Sequence, residues 1–202
     1  IKSSDINNLN QSILWGLCKG IDLEVPELKC RRIDLDEDPT SLKAAIEEIL
    51  SDSKEHQSAY RSGNRYVARL VKSDPQPEEN ISIDSRGSYL ITGGAGTLGQ
   101  ATCDWLVKQG AGAVILSGRS IISDELTNRI KQWGKEGGKV EYVQGDIAET
   151  KEAHNILEKC ESLGPLKGIF HAAGVLADGI LTEQDEISFK KVFHPKVGGA
   201  LN

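Results

Sequence analysis

The sequence predicts an α/β fold: a Rossmann-like, doubly wound parallel sheet preceded by part of a second, less regular Rossmann-like unit. Three observations predict it. Four short apolar runs, Tyr89-Leu90-Ile91, Ala113-Val114-Ile115-Leu116, Val140-Glu141-Tyr142-Val143 and Gly168-Ile169-Phe170, recur at similar intervals. Segments of helical period lie between them, which reads as βαβ units rather than hairpins. The first run leads directly into Thr92-Gly93-Gly94-Ala95-Gly96-Thr97-Leu98-Gly99, a glycine turn that opens an amphipathic helix.

The elements follow in chain order. Ile13 to Leu23 reads as a helix at its start, and Cys30 to Leu35 alternates as a strand does. Pro39 and Thr40 open a helix that runs to Leu50, with Leu42, Ile46, Ile49 and Leu50 on one face. Tyr66 to Leu70 closes this part as a strand. Ser73-Asp74-Pro75-Gln76-Pro77-Glu78-Glu79-Asn80 is polar and holds two prolines, so it reads as a linker. Residues 1–80 thus form one part, and residues 81–202 a second. In the second part Leu98, Ala101, Trp105 and Leu106 share a helical face. So do Leu126, Ile130 and Trp133, and then Ala153, Ile156, Leu157 and Cys160. Right-handed crossovers place the carboxyl ends of all the strands on one edge, where ligands bind.

Composition excludes several classes of function. With 202 residues and 38% hydrophobic content, a packed core is feasible. A net charge of −6 argues against nucleic acid and against anionic membrane surfaces, which select basic patches. No apolar run approaches the length of a membrane span, and Ile1-Lys2-Ser3-Ser4-Asp5 is no signal peptide. A chain starting at Ile1 is expected to be a piece of a longer protein. Cys18, Cys30, Cys103 and Cys160 lie far apart, as expected of reduced thiols in a cytoplasmic protein. The four histidines do not cluster, so no metal site is expected.

The glycine turn is the strongest functional signal. A strand, a glycine turn and a helix together make a cradle for a dinucleotide pyrophosphate. Glycine lets the backbone approach the phosphates at the positive end of the helix. Thr92, Gly93, Gly94, Ala95, Gly96, Thr97, Leu98 and Gly99 are therefore expected to bind a nicotinamide cofactor. The second strand ends in Leu116-Ser117-Gly118-Arg119-Ser120, with no acid to hold a ribose 2′-hydroxyl. A guanidinium flanked by Ser117 and Ser120 suits a 2′-phosphate instead, so Arg119 favours NADPH. Asp146, followed by Ile147, reads either as a partner of the adenine amino group or as a helix capping box with Glu149. Ala172, Ala173 and Gly174 follow the fourth strand. Small residues there admit a ribose or nicotinamide, or else serve tight packing.

Tyr89 to Gly99, Leu116 to Ser120, His171-Ala172-Ala173-Gly174-Val175-Leu176 and Pro195-Lys196-Val197-Gly198-Gly199-Ala200 resemble the ketoreductase domain of modular polyketide synthases. That domain belongs to the short-chain dehydrogenase/reductase superfamily. Leu14-Trp15-Gly16-Leu17, Glu27 to Arg31, Ile33 to Asp36 and Ala59 to Leu70 resemble the end of the same family's cofactor-free structural subdomain. The resemblance implies NADPH-dependent reduction of a β-ketoacyl thioester to a β-hydroxyacyl thioester. It also implies an acyl carrier protein that presents the substrate on phosphopantetheine, and neighbouring synthase domains. Lys196 matches the lysine of the catalytic tetrad. Leu176-Ala177-Asp178 resembles the Leu-Asp-Asp signature of B-type enzymes, which give the 3R (D) hydroxyl. Ala177 departs from that signature, whereas Leu176 and Asp178 keep it.

The same resemblance places the serine, tyrosine and asparagine of the tetrad after Asn202. This piece is therefore expected to carry one tetrad residue and no proton donor. Two further readings stand beside that of a ketoreductase. One is a non-catalytic remnant acting as a scaffold in a synthase module. The other is a short-chain reductase of free small molecules, which the first-part match disfavours because such enzymes lack that subdomain.

Overall fold

The computed structural model describes residues 9–72 and 82–202. The linker expected over Ser73 to Asn80 lies outside the described residues. The described chain forms two compact units. One comprises the residues up to 72 with Gly179–Glu183, the other residues 82–178 with 184–202.

In the first unit, α1 (Ile13–Glu24) precedes β1 (Arg32–Leu35), α2 (Pro39–Leu50), β2 (Gln57–Arg61) and β3 (Asn64–Val67). Strand β2 lies between β1, its parallel neighbour, and β3, its antiparallel one. The β2–β3 hairpin turns through Ser62 and Gly63, at φ 49° and 74°. Two positive φ values in a two-residue loop match the twist of the flanking strands. Strand β2 was not anticipated, because Gln57-Ser58-Ala59-Tyr60-Arg61 has no apolar alternation. Strand β3 stops at Val67, short of the expected Leu70, whose side chain is fully exposed.

Helix α2 starts as expected. Asp38 caps it by accepting from the Thr40 N–H at 2.8 Å, and Pro39 occupies its first turn. Its buried face, however, is not the predicted one. Leu42, Ile46, Ile49 and Leu50 are all exposed, whereas Ser41, Ala45 and Glu48 are buried. Polar pairing explains the choice. The Glu48 carboxylate accepts from Arg65 Nη2 and from the Tyr60 hydroxyl, each at 2.7 Å. The Ser41 hydroxyl accepts from the Gly63 N–H at 3.1 Å. The Arg65 guanidinium holds the Glu48 carboxyl down at about 2.

The second unit is a doubly wound α/β layer. Its strands are β4 (Ser88–Thr92), β5 (Ala113–Gly118), β6 (Val140–Gln144) and β7 (Leu166–His171), all parallel, in the order β6-β5-β4-β7. Helices α3 (Thr97–Lys108), α4 (Asp124–Lys135) and α5 (Thr150–Leu163) connect them. Alternate side chains face opposite layers. Tyr89, Ile91, Val114 and Leu116 pack with Cys103, Leu106, Leu126 and Trp133. Leu90 and Ile115 pack on the other face with Ala153, Ile156 and Cys160. Burial pushes the Cys103 thiol up to about 12 and the Cys160 thiol up to about 11, so both act as small apolar groups. The predicted faces of α4 and α5 hold. That of α3 does not: Leu98, Ala101 and Trp105 are exposed, and Gly99, Cys103 and Leu106 are buried. The reason is the small side of Gly99, which seats the helix against the turn before it. After β7 the chain forms α6 (Glu186–Phe193), a π-helical turn (His194–Gly198) and a last helical turn (Gly199–Leu201). No helix of the described residues is long and apolar enough to cross a membrane.

The Glu48 network sets a testable acid limit. Its folded-state pKa is depressed, so its contribution is complete above the ordinary carboxylate range and is lost as pH falls toward about 2. Glu48→Gln is expected to lower stability by roughly 2–3 kcal/mol at neutral pH. It should also flatten the dependence of stability on pH between about 5 and 2. Chemical denaturation followed over that pH range checks both.

Candidate functional site

The carboxyl ends of the four parallel strands open onto one cleft. Thr92 and Gly93 line it at the end of β4, and Ser117, Gly118 and Arg119 at the end of β5. Gly145, Asp146 and Ile147 line it after β6, Ala173, Gly174 and Val175 after β7, and Pro195 from the π turn. The strand order reverses between β4 and β7, which makes this edge a topological switch point.

The glycine turn is packed without slack. Gly93 sits at φ 67°, and a Cβ there would lie 2.6 Å from the Ala172 carbonyl oxygen. A Cβ on Gly94 would lie 2.7 Å from the Leu116 Cβ, and one on Gly99 2.6 Å from the Gly94 Cα. Gly96 differs. It precedes the first turn of α3, and a Cβ there would meet only the Gly93 carbonyl oxygen, at 3.3 Å. The N–H groups of Thr97, Leu98 and Gly99 head the helix, where no intrahelical acceptor exists. No acidic residue sits in that first turn to neutralise it. Ala95 is tied to the helix by its carbonyl, which accepts from Gln100 Nε2 at 2.9 Å. The Leu98 side chain is 76% exposed, so only its backbone belongs to the turn.

The segment after β5 is pinned by β6. The Tyr142 hydroxyl donates to the Ser120 carbonyl at 2.7 Å, and Gln144 Nε2 to the Arg119 carbonyl at 3.0 Å. These bonds leave the Arg119 guanidinium free to face the cleft, with Nη1 3.9 Å from Asp146 Oδ2. Asp146 Oδ1 accepts from the Ala148 N–H at 3.0 Å. The capping-box reading needs correction here. Helix α5 begins at Thr150, Glu149 makes no side-chain cap bond, and it is Glu152 that accepts from the Asp146 N–H, at 2.6 Å. Ile147 is buried, and its carbonyl accepts from Asn202 Nδ2 at 3.0 Å.

Thr92 organises the fourth wall. Its backbone carbonyl accepts from the Ala172 N–H at 3.1 Å, and its hydroxyl accepts from the Ala173 N–H at 3.3 Å. The same hydroxyl lies 2.8 Å from His171 Nδ1. Gly174 leaves room for the Lys196 stem: a Cβ at 174 would lie 3.2 Å from Lys196 Cε. Lys196 itself projects from the π turn, a rare helical widening that recurs at functional sites. The exposed Leu176 and Asp178 lie beyond the residues that line the cleft. Gly118, Gly145, Val175 and Pro195 were not anticipated. Gly118 and Gly145 sit at strand ends, where the predicted sheet edge could have marked them.

Comparison with known proteins agrees with this geometry. Residues 87–202 match the family model described as KR domain. The chain is 34% identical over 194 residues to a phenolphthiocerol/phthiocerol polyketide synthase from Mycobacterium tuberculosis (strain CDC 1551 / Oshkosh), covering 93% of this chain and 11% of that protein. It is 32% identical over 153 residues to polyketide synthase PksM of Bacillus subtilis (strain 168), covering 75% of this chain and 4% of that protein. The chain therefore spans a small part of the length of these relatives. Among solved structures, an N-terminal ketoreductase from a macrolactin assembly line superimposes with a TM-score of 0.76 at 29% identity, covering 93% of this chain and 39% of that one. A-type ketoreductases from a modular polyketide synthase give a TM-score of 0.84 at 27% identity, covering 95% and 41%. The chain belongs to the KR domain family.

The glycine geometry separates fold from ligand. Gly99→Ala is expected to cost about 2–3 kcal/mol, because the backbone it would strike cannot rotate away. Gly96→Ala should change stability by less than about 0.5 kcal/mol. Thermal melts of the two variants beside the parent chain check the contrast. Equal losses would mean that Gly96 is held by packing too.

Proposed function

We propose that this chain is the cofactor-binding part of an NADPH-dependent ketoreductase of polyketide assembly. The reaction is reduction of a β-ketoacyl thioester, presented on the phosphopantetheine of an acyl carrier protein, to the β-hydroxyacyl thioester. The observation that carries the reading is a cleft lined by Gly93, Arg119 and Gly174, with the open helix N-terminus at Gly96 following Gly93 and Lys196 laid across Gly174. An anion-accepting helix end, a cation suited to phosphate and a second cation near Gly174 fit the charge pattern of a phosphorylated dinucleotide.

Each residue has a part. The N–H groups at the head of α3, with the Gly93–Gly94 turn, receive the pyrophosphate. Arg119, flanked by Ser117 and Ser120, receives the 2′-phosphate. Asp146 and the Ile147 backbone take the adenine. Ala172, Ala173 and Gly174 admit the nicotinamide ribose. The reduced nicotinamide, when bound, supplies hydride. Lys196 holds a cation at that end of the cleft, which favours negative charge on a neighbouring phenol or substrate oxygen. Residues 1–80 are the end of the structural subdomain, and residues 81–202 are the first part of the catalytic one. Asp178, with Leu176, supports B-type stereochemistry and the 3R (D) hydroxyl. Neighbouring synthase domains and a cytoplasmic setting complete the reading.

Titration of the full chain with NADPH and NADH tests the cofactor assignment. Arg119→Ala should weaken NADPH about 10- to 100-fold while changing NADH by less than about threefold. Equal losses would remove the 2′-phosphate role. Gly96→Val should abolish binding of both while leaving the fold intact. A parent chain that binds neither cofactor would favour a scaffold remnant instead. In the parent synthase module, Lys196→Ala should lower turnover of a carrier-bound β-ketoacyl thioester by about 100-fold or more. Its effect on the cofactor dissociation constant should be much smaller.

A further inference from the structure

We propose that His194 sets the preference for the phosphorylated cofactor, acting as a positioning residue that engages the Asp146 carboxylate and so releases Arg119 for the 2′-phosphate. The inference rests on the cofactor reading above and deepens it.

The geometry points to a shared anion. Asp146 Oδ2 lies 3.9 Å from Arg119 Nη1 and 3.4 Å from His194 Nε2. One carboxylate oxygen is therefore within ion-pair distance of both a guanidinium and an imidazole. That carboxylate has a side-chain exposure of 19%, whereas Arg119 and His194 are 56% and 44% exposed, so solvent partly screens both pairs and the shared oxygen is what couples them. His194 Nε2 also lies 3.7 Å from Glu149 Oε1, and Glu152 accepts from the Asp146 N–H. Asp146, which faces Arg119, thus has two further carboxylates near it, Glu149 across His194 and Glu152 at its own N–H. Such a group of acids opposes a phosphate dianion in two ways. It repels the dianion directly, and it competes for the guanidinium that should bind it.

His194 answers both effects. As an imidazolium it neutralises charge on Asp146 and Glu149. Whenever its Nε2 carries a proton, it can donate to the oxygen that Arg119 would otherwise take. Its placement is also specific. His194 opens the π turn that carries Lys196, and Pro195, between them, lines the cleft. The widened turn therefore presents one side chain toward Asp146 and another across Gly174. One short element serves both ends of the cleft.

The test is a set of dissociation constants for NADPH and NADH, measured by fluorescence titration on the full chain. The readout is the ratio of the two affinities. A merely structural role would move both constants together and leave the ratio alone. His194→Gln removes the charge and is expected to lower the NADPH preference about three- to tenfold with the NADH constant unchanged. His194→Lys keeps a cation and should retain the preference. Asp146→Asn, an independent variant, should raise it, and in that background His194→Gln should change nothing further. An unaltered ratio in His194→Gln, equal losses for both cofactors, or a full effect persisting in the Asp146→Asn background would each overturn the proposal. A parent chain that prefers NADPH through Arg119, but ignores His194, would overturn this inference alone. A parent chain that binds no NADPH would overturn the cofactor reading as well.

Discussion

The second unit depends on how closely α3 can approach the end of β4. Backbone meets backbone there, with Gly99 against Gly94 and Gly93 against the carbonyl of Ala172. Any Cβ at those places would push the helix outward. The helix axis would then no longer point its N-terminus along the strand edge, and the segment after β7 would lose its seat. Thr92 completes the arrangement from the other side. Its carbonyl and hydroxyl hold the N–H groups of Ala172 and Ala173, and its hydroxyl also contacts His171. The walls of the cleft are thus fixed by contacts made before any ligand arrives, which is what preorganisation requires. Gly96 stands apart because its space is left open rather than filled.

The parallel sheet was legible because its strands are buried on both faces. Ala113-Val114-Ile115-Leu116 reads as an unbroken apolar run, and in the structure each of those residues is buried. Helices α4 and α5 were legible for a related reason: one apolar stripe, one covered face. Helices α2 and α3 show where this logic fails. Periodicity identifies a stripe but not whether anything covers it. In α2 the buried face is won by Glu48, whose carboxylate needs Arg65 and Tyr60, and by the small Ser41 and Ala45. In α3 it is won by Gly99, which a hydrophobicity pattern counts as nothing. Close approach and paired charge both override an apolar stripe, and neither shows in the period.

The site divides along the same line. Gly93, Gly96, Arg119 and the Ala172-Ala173-Gly174 segment lie at predicted strand ends, so topology alone brought them together. Of the two readings of Asp146, the local cap with Glu149 fails because the helix starts at Thr150, three residues later than the acid pattern implies, and the Asp146 N–H goes to Glu152. His171 and His194 carried no usable signal. Their roles arise from partners 79 residues away in one case and from a π turn in the other. A one-residue helical widening leaves no mark on composition, yet it decides which side chain meets the cleft.

The charge of the chain sharpens the point. A net charge of −6 places a repulsive long-range field around any polyanionic ligand. That field is screened beyond about 8 Å at physiological salt, so it mainly slows approach. What the cleft accepts is then settled by groups within a few ångströms of it. The helix N-terminus offers unpaired N–H groups with no acid in its first turn, and this part of the cleft is unopposed. The mouth is different, because the half-exposed Arg119 lies within ion-pair distance of Asp146. A cation already paired with a carboxylate is a weaker phosphate site than a free one. On the cofactor reading proposed above, the balance among Arg119, Asp146 and the neighbouring His194 therefore outweighs the sign of the whole chain in choosing between a bare ribose and a phosphorylated one.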